Sequence, residues 1–118
     1  MYRLSKDTDL SFLLEAEMLQ VCIGSQEVIL NFDRRVRVTI LSDFTVTPSG
    51  APPTVYQKAA IGGVALLPLL RDTIVAAAAT EQGGLSLTFR SGTCLEVHDT
   101  SDQFESFWIS DDNHQIIV

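Results

Sequence analysis

The fold is decided by two stretches that carry the same pattern, residues 28–40 (VILNFDRRVRVTI) and residues 85–97 (LSLTFRSGTCLEV). In each stretch apolar residues occupy every second position over five residues, a polar turn follows, and a second short alternation begins. Alternation at period two places every second side chain on one face of a strand. Each stretch therefore predicts a β-hairpin.

The apolar positions of the two stretches coincide at a separation of 57 residues: Val28, Leu30, Phe32, Val38 and Ile40 match Leu85, Leu87, Phe89, Leu95 and Val97. The turns fall at 33–35 and at 90–92, and an apolar run at 18–23 or 73–79 precedes each hairpin. This spacing indicates an internal repeat, with halves at about 10–46 and 66–109. The alternative is chance similarity between two amphipathic hairpins.

A loop separates the halves, since residues 47–54 hold three of the four prolines and proline removes backbone donors. The Ala- and Leu-rich segment that follows predicts one short helix near Val64 to Leu70, weakened or bent by Pro68. We expect a single domain, 1–118, of the α+β class and mostly β. Two antiparallel three-stranded meander units form it, with the short central helix packed on the sheet.

The charge of the chain narrows the classes of partner. Eight Lys and Arg against fifteen Asp and Glu give a net charge of −7, which repels nucleic acid. It suits a basic protein surface, or it keeps the domain soluble. Residues 1–9 lack the apolar core of a signal peptide, and the apolar stretch 61–70 is too short to span a bilayer. We expect a cytoplasmic protein without a membrane segment.

Catalytic, cofactor and metal motifs are not evident in the sequence. His98 and His114 stand near acids, but their spacing matches no metal-ligand motif, so we predict no metal and no cofactor. A hydrolase would have to recruit dispersed carboxylates such as Asp99, Asp102 and Glu105. We therefore expect a protein that is not an enzyme. Cys22 and Cys94 are interpreted as reduced, buried thiols, with a disulfide as the alternative.

The segment Phe104-Glu105-Ser106-Phe107-Trp108 concentrates aromatic residues. Alternation places Phe107 and Trp108 on opposite faces of a strand, so one of them is expected to be accessible. Acidic residues flank this segment and the turn that follows it. The candidate partner-binding residues are Asp99, Asp102, Glu105, Phe107, Trp108, Asp111 and Asp112.

These motifs resemble a family of small uncharacterised bacterial domains of unknown function. The resemblance rests on residues 66–70 (LLPLL), on the hairpin at 84–97, on the aromatic-Glu-Ser-aromatic strand at 104–109, and on Val21-Cys22-Ile23-Gly24 with Leu30-Asn31-Phe32-Asp33. It implies no activity and no catalytic residues.

From charge and the absence of a catalytic motif we expect a non-enzymatic interaction protein. An immunity or antitoxin-like inhibitor that binds a basic partner through its acidic loops fits this class. The alternative is a small-ligand-binding or self-assembling β-domain, for which a homodimer is the simplest assembly.

Overall fold

A computed structural model describes residues 3–101 and 105–118. Within these ranges the chain forms ten β-strands in two five-stranded antiparallel sheets. The strands are β1 (Met18–Ile23), β2 (Val28–Phe32), β3 (Arg37–Ile40), β4 (Phe44–Thr47), β5 (Thr54–Tyr56), β6 (Ile74–Ala79), β7 (Leu85–Phe89), β8 (Cys94–Val97), β9 (Phe107–Ser110) and β10 (Gln115–Ile117).

Helical structure is confined to short pieces. Three-residue 3-10 turns lie at Ser11–Leu13 and Asp33–Arg35, and helix α1 (Ala59–Gly62) runs into a central 3-10 helix, Gly63–Leu69. The expected short helix near 64–70 is present, but it has the 3-10 form and contains Pro68. Because a 3-10 helix bonds residues three apart and is used in short pieces, it accommodates this proline near its end.

The two predicted meanders are confirmed as β1-β2-β3 and β6-β7-β8. Each is completed by two strands from the other half of the chain. The order of the first sheet is β1-β2-β3-β9-β10, and that of the second is β6-β7-β8-β4-β5. Strand β4 follows β3 in sequence but pairs with β8, while β9 follows β8 and pairs with β3. The halves therefore exchange their fourth and fifth strands.

The two sheets match each other in register as well as in order. Phe44 pairs with Val97 where β4 joins β8, and Phe107 pairs with Ile40 at the equivalent position where β9 joins β3. Both first strands carry a bulge at the same place, after Met18 and after Ile74. The structure thus has an approximate two-fold relation between its halves.

Backbone hydrogen bonds join the halves where this relation brings equivalent residues together. The Met18 N–H donates to the Asp72 carbonyl over 2.9 Å, and the Ile74 N–H donates to the Ala16 carbonyl over 3.0 Å. Glu17 and Thr73, which are themselves equivalent, form an isolated β-bridge between these bonds. The equivalent residues in these contacts are 56 positions apart: Ala16 and Asp72, Glu17 and Thr73, and Met18 and Ile74.

The core lies between the inward faces of the two sheets. It includes the apolar positions of the repeat, which are all buried, together with Phe44, Val46, Phe107 and Ile109 from the exchanged strands. Leu13 and its counterpart Leu69 add to the same cluster. One continuous core therefore serves both halves.

Phe44 and Phe107 test this equivalence because both are fully buried at matching positions. Truncating either ring to alanine removes a large apolar volume from the shared core, so Phe44→Ala and Phe107→Ala should each lower the free energy of unfolding by about 3–5 kcal/mol. Urea denaturation followed by circular dichroism measures both. A loss below about 1 kcal/mol in one variant alone would contradict the shared core.

Candidate functional site on the outer face of the first sheet

Two of the predicted partner-binding residues lie inside the protein. Phe107 is fully buried in the core, and Asp99 is only 6% exposed. The Asp99 carboxylate accepts hydrogen bonds from the backbone N–H of Arg3, over 2.9 Å, and from the buried Ser106 hydroxyl, over 2.7 Å. Both were predicted to contact a partner, but neither side chain is exposed to one in this structure, and Asp99 joins the N-terminal segment to the start of β9.

The acidic turn between β9 and β10 is engaged within the chain. Asp111 accepts hydrogen bonds from the Asn113 N–H and from His114 Nδ1, both over 2.8 Å. The exposed Asp112 lies 3.7 Å from the guanidinium of Arg35. Glu105 is half-buried, and Asp102, like Phe104, lies outside the described residues. Asp99, Asp111 and Asp112 are therefore each engaged by other residues of the chain.

Trp108 is the predicted site residue that the fold presents to solvent. Its side chain lies on the outer face of β9 and is 40% exposed, while its neighbour Phe107 points into the core. The expectation that one of these two aromatics is accessible is thus met by Trp108.

Around Trp108 the outer face of the first sheet is arranged in two cross-strand rows. Strand pairing places one residue of each strand in each row, in the order β1, β2, β3, β9 and β10. The apolar row is Cys22, Ile29, Thr39, Trp108 and Ile117, and the polar row is Gln20, Asn31, Arg37, Ser110 and Gln115. We call these ten residues the Trp108 face.

A shallow groove of about 420 Å³ lies on this face, lined by Glu27, Ile29, Arg37, Thr39, Leu41, Trp108, Ser110 and Gln115. The guanidinium of Arg37 is held in it, because its Nε donates to Asn31 Oδ1 over 2.9 Å. Asn31 Nδ2 in turn donates to Gln20 Oε1 over 3.0 Å. An ordered cation and a half-exposed indole therefore border one groove, and both side-chain types are common at the energetic centres of protein interfaces.

The equivalent face of the second sheet differs in chemistry. The row that corresponds to the apolar row is Ala78, Ser86, Glu96, Thr45 and Val55. Thr45 stands where the first sheet has Trp108, and Glu96 where it has Thr39. Since the same fold accepts Ser86 and Thr45 at the corresponding positions, it does not itself demand Ile29 and Trp108 on the outer face of the first sheet.

The histidines and cysteines lie apart from one another. Thr45 Oγ1 is 2.7 Å from His98 Nε2, and His114 stacks on Phe12 with ring centroids 4.3 Å apart. Among residues 3–101 and 105–118, no cluster of three His, Cys, Asp or Glu side chains is placed to hold a metal ion. The half-buried Cys22 and Cys94 are free thiols in different sheets.

No helix within residues 3–101 and 105–118 is long and apolar enough to cross a membrane.

Sequence reasoning named both Phe107 and Trp108, left open which of them is exposed, and missed the residues that surround Trp108. Ile29 and Thr39 come together with Trp108 only because β9 joins β3, a pairing with no local signal. The signal in the sequence was Ile29 itself, an apolar residue at an outward position of the amphipathic strand β2.

The structural role of Asp99 predicts a loss of stability on substitution. Asp99→Ala leaves the buried Ser106 hydroxyl and the Arg3 N–H without this acceptor, which should cost about 1–3 kcal/mol of unfolding free energy. Asp112→Ala, at an exposed ion pair, should change stability by less than about 0.5 kcal/mol. Urea denaturation of both variants compares them, and equal stability would argue against the role given to Asp99.

The lowered pKa of Asp111 predicts that this residue contributes to stability in a pH-dependent way. Burial, which alone would raise the pKa of Asp111, is outweighed by hydrogen bonds from His114 and the Asn113 N–H, and the pKa is held below its ordinary value of 3.8. A depressed folded-state pKa stabilises the protein above the unfolded pKa, and this contribution is lost as the pH falls through the folded value.

The carboxyl carbon of Asp111 should therefore titrate with a midpoint below 3.8 by NMR. Asp111→Asn should lose less stability than the wild type when the pH falls from about 5 to about 2.5. A midpoint above 3.8 would contradict the hydrogen-bonded geometry.

Comparison with known proteins gives a family but no activity. Residues 12–118 match a family model described as "Family of unknown function (DUF6188)". Neither the curated proteins nor the solved structures include a match to the chain. The expected membership of a domain family of unknown function is confirmed, and since the match spans nearly the whole length, this chain belongs to the DUF6188 family.

Proposed function

We propose that this chain is a non-enzymatic binding module that holds a basic protein on the Trp108 face. The observation that carries the proposal is the exposed Trp108 beside Ile29, at positions where the equivalent face of the second sheet has Thr45 and Ser86. Aromatic and arginine side chains supply much of the energy of protein interfaces when a partner excludes water from them. Trp108 and Arg37 border one groove and can act together in this way.

Charge supports a basic partner. The chain carries a net charge of −7, and Glu27 borders the groove itself. Such a field accelerates association with a positively charged surface and disfavours acidic ones. An immunity or antitoxin-like inhibitor, which would cover the basic surface of a toxin, is the finer form of this proposal.

The test begins with affinity purification of the tagged chain from its host and identification of the protein retained through a salt wash. Its affinity is then measured for the wild type, for Trp108→Ala and for the control Val75→Ala. Val75 is 40% exposed, as Trp108 is, but lies on β6 of the second sheet. Loss of a central aromatic anchor should weaken binding at least about tenfold, whereas the control should leave it unchanged.

Equal affinity of Trp108→Ala and the wild type would remove the Trp108 face from the proposal. The charge of the partner is tested separately by the association rate. Association with a basic partner should slow when the salt concentration rises from about 50 to about 500 mM. An association rate that does not change with salt would contradict a basic partner.

A further inference from the structure

An exposed apolar ridge runs along α1 and the central 3-10 helix. A 3-10 helix has three residues per turn, so residues three apart lie in one row. Gly63, Leu66 and Leu69 form the buried row, which packs towards the core. Close packing at this row is shown by Gly63, where an added Cβ would meet Ile23 and Val28 at 2.9 Å.

The adjacent row faces solvent and is entirely aliphatic. It consists of Ile61, Val64, Leu67 and Leu70, with exposed fractions of 74%, 62%, 41% and 40%. The neighbouring strand β1 adds two exposed apolar side chains, Leu19 and Ile23. We call these six residues the apolar ridge. Isolated exposed apolar residues are ordinary, but a continuous row of this kind marks an interaction surface.

The other half of the chain shows that the fold does not require this ridge. Backbone hydrogen bonds relate the turn at Ser11–Leu13 to the end of the central 3-10 helix: Leu14 N–H to Ser11 carbonyl matches Leu70 N–H to Leu67 carbonyl. The counterparts of Val64 and Leu67 are therefore Thr8 and Ser11, while that of Leu70 is the exposed Leu14. Polar side chains at two of these positions support the same architecture, so folding does not require the aliphatic Val64 and Leu67.

The distribution of charge along the sequence bears on what could cover the apolar ridge. Residues 44–70 contain no Asp or Glu and one cation, Lys58, while the rest of the chain carries a net charge of −8. Two copies of such a chain repel each other wherever acidic surfaces meet. The four residues of the solvent-facing row lie in this acid-free segment, so two copies can bring these four side chains together without opposing acids from it.

We propose that a second copy of this chain docks on the apolar ridge, ridge against ridge, to form a two-fold symmetric dimer. A two-fold contact uses the same patch on both partners, and an uncharged aliphatic row is complementary to itself. The proposal is independent of the Trp108 face, which lies on the outer surface of the first sheet.

The experiment is the molar mass of the full chain by size-exclusion chromatography with light scattering, from about 1 to about 100 μM. The wild type should approach twice 12.9 kDa as concentration rises. Val64→Glu should remain at the monomer mass, because it places an acid in the contact of each copy. Its control, Ser11→Glu, adds the same charge at an exposed position of the other half and should dimerise like the wild type.

Circular dichroism melting checks that the variants fold, which is expected because Val64 is largely exposed. A wild type that stays monomeric at about 100 μM would overturn the proposal, as would a dimer insensitive to Val64→Glu. A dimer dissociated by Trp108→Ala instead would place self-association on the Trp108 face and would also overturn it.

Discussion

The exchange of strands between the two halves is the constraint on which the rest of the structure depends. Phe44 enters the second sheet beside Val97, and Phe107 enters the first sheet beside Ile40. Both rings are fully buried, so each half supplies an aromatic side chain to the core position that the other half leaves open. Each meander has its apolar face covered by the inward face of the other sheet, within one continuous core. The two halves therefore depend on each other for the burial of their apolar residues.

This arrangement separates positions that the fold dictates from positions that it leaves free. Inward residues are apolar in both halves because both sheets face one core. Outward residues have no such requirement, and there the halves differ: Trp108 corresponds to Thr45, and Leu67 corresponds to Ser11. Each half thus acts as an internal control for the other. Apolar side chains that appear outward in only one half call for an explanation beyond folding, and binding is the physical reason available to an exposed apolar surface.

Sequence patterns revealed the local structure better than the assembly. Alternation and turn residues located the hairpins at 28–40 and 85–97, since these contacts are close in the sequence. The pairing of β4 with β8 joins residues about fifty positions apart and leaves no periodic trace. The same distance hid the role of Asp99, because acids are mostly exposed and its two donors lie near opposite ends of the chain. Period-two alternation within one strand placed Phe107 and Trp108 on opposite faces, but which of them points outward depends on the packing of β9 against the core.

Acidic residues and most of the apolar ridge occupy different parts of the chain, and this separation affects both proposed binding surfaces. The acids lie outside residues 44–70, so the negative field that would attract the proposed basic partner would also keep two copies of the chain apart where acidic surfaces meet. Only a contact without acids escapes this repulsion. A dimer built on the apolar ridge would leave both Trp108 faces uncovered, because these lie on the outer side of the first sheet. Two faces held at a fixed separation would bind a repetitive or dimeric partner more tightly than one face does, without any new contact in either groove.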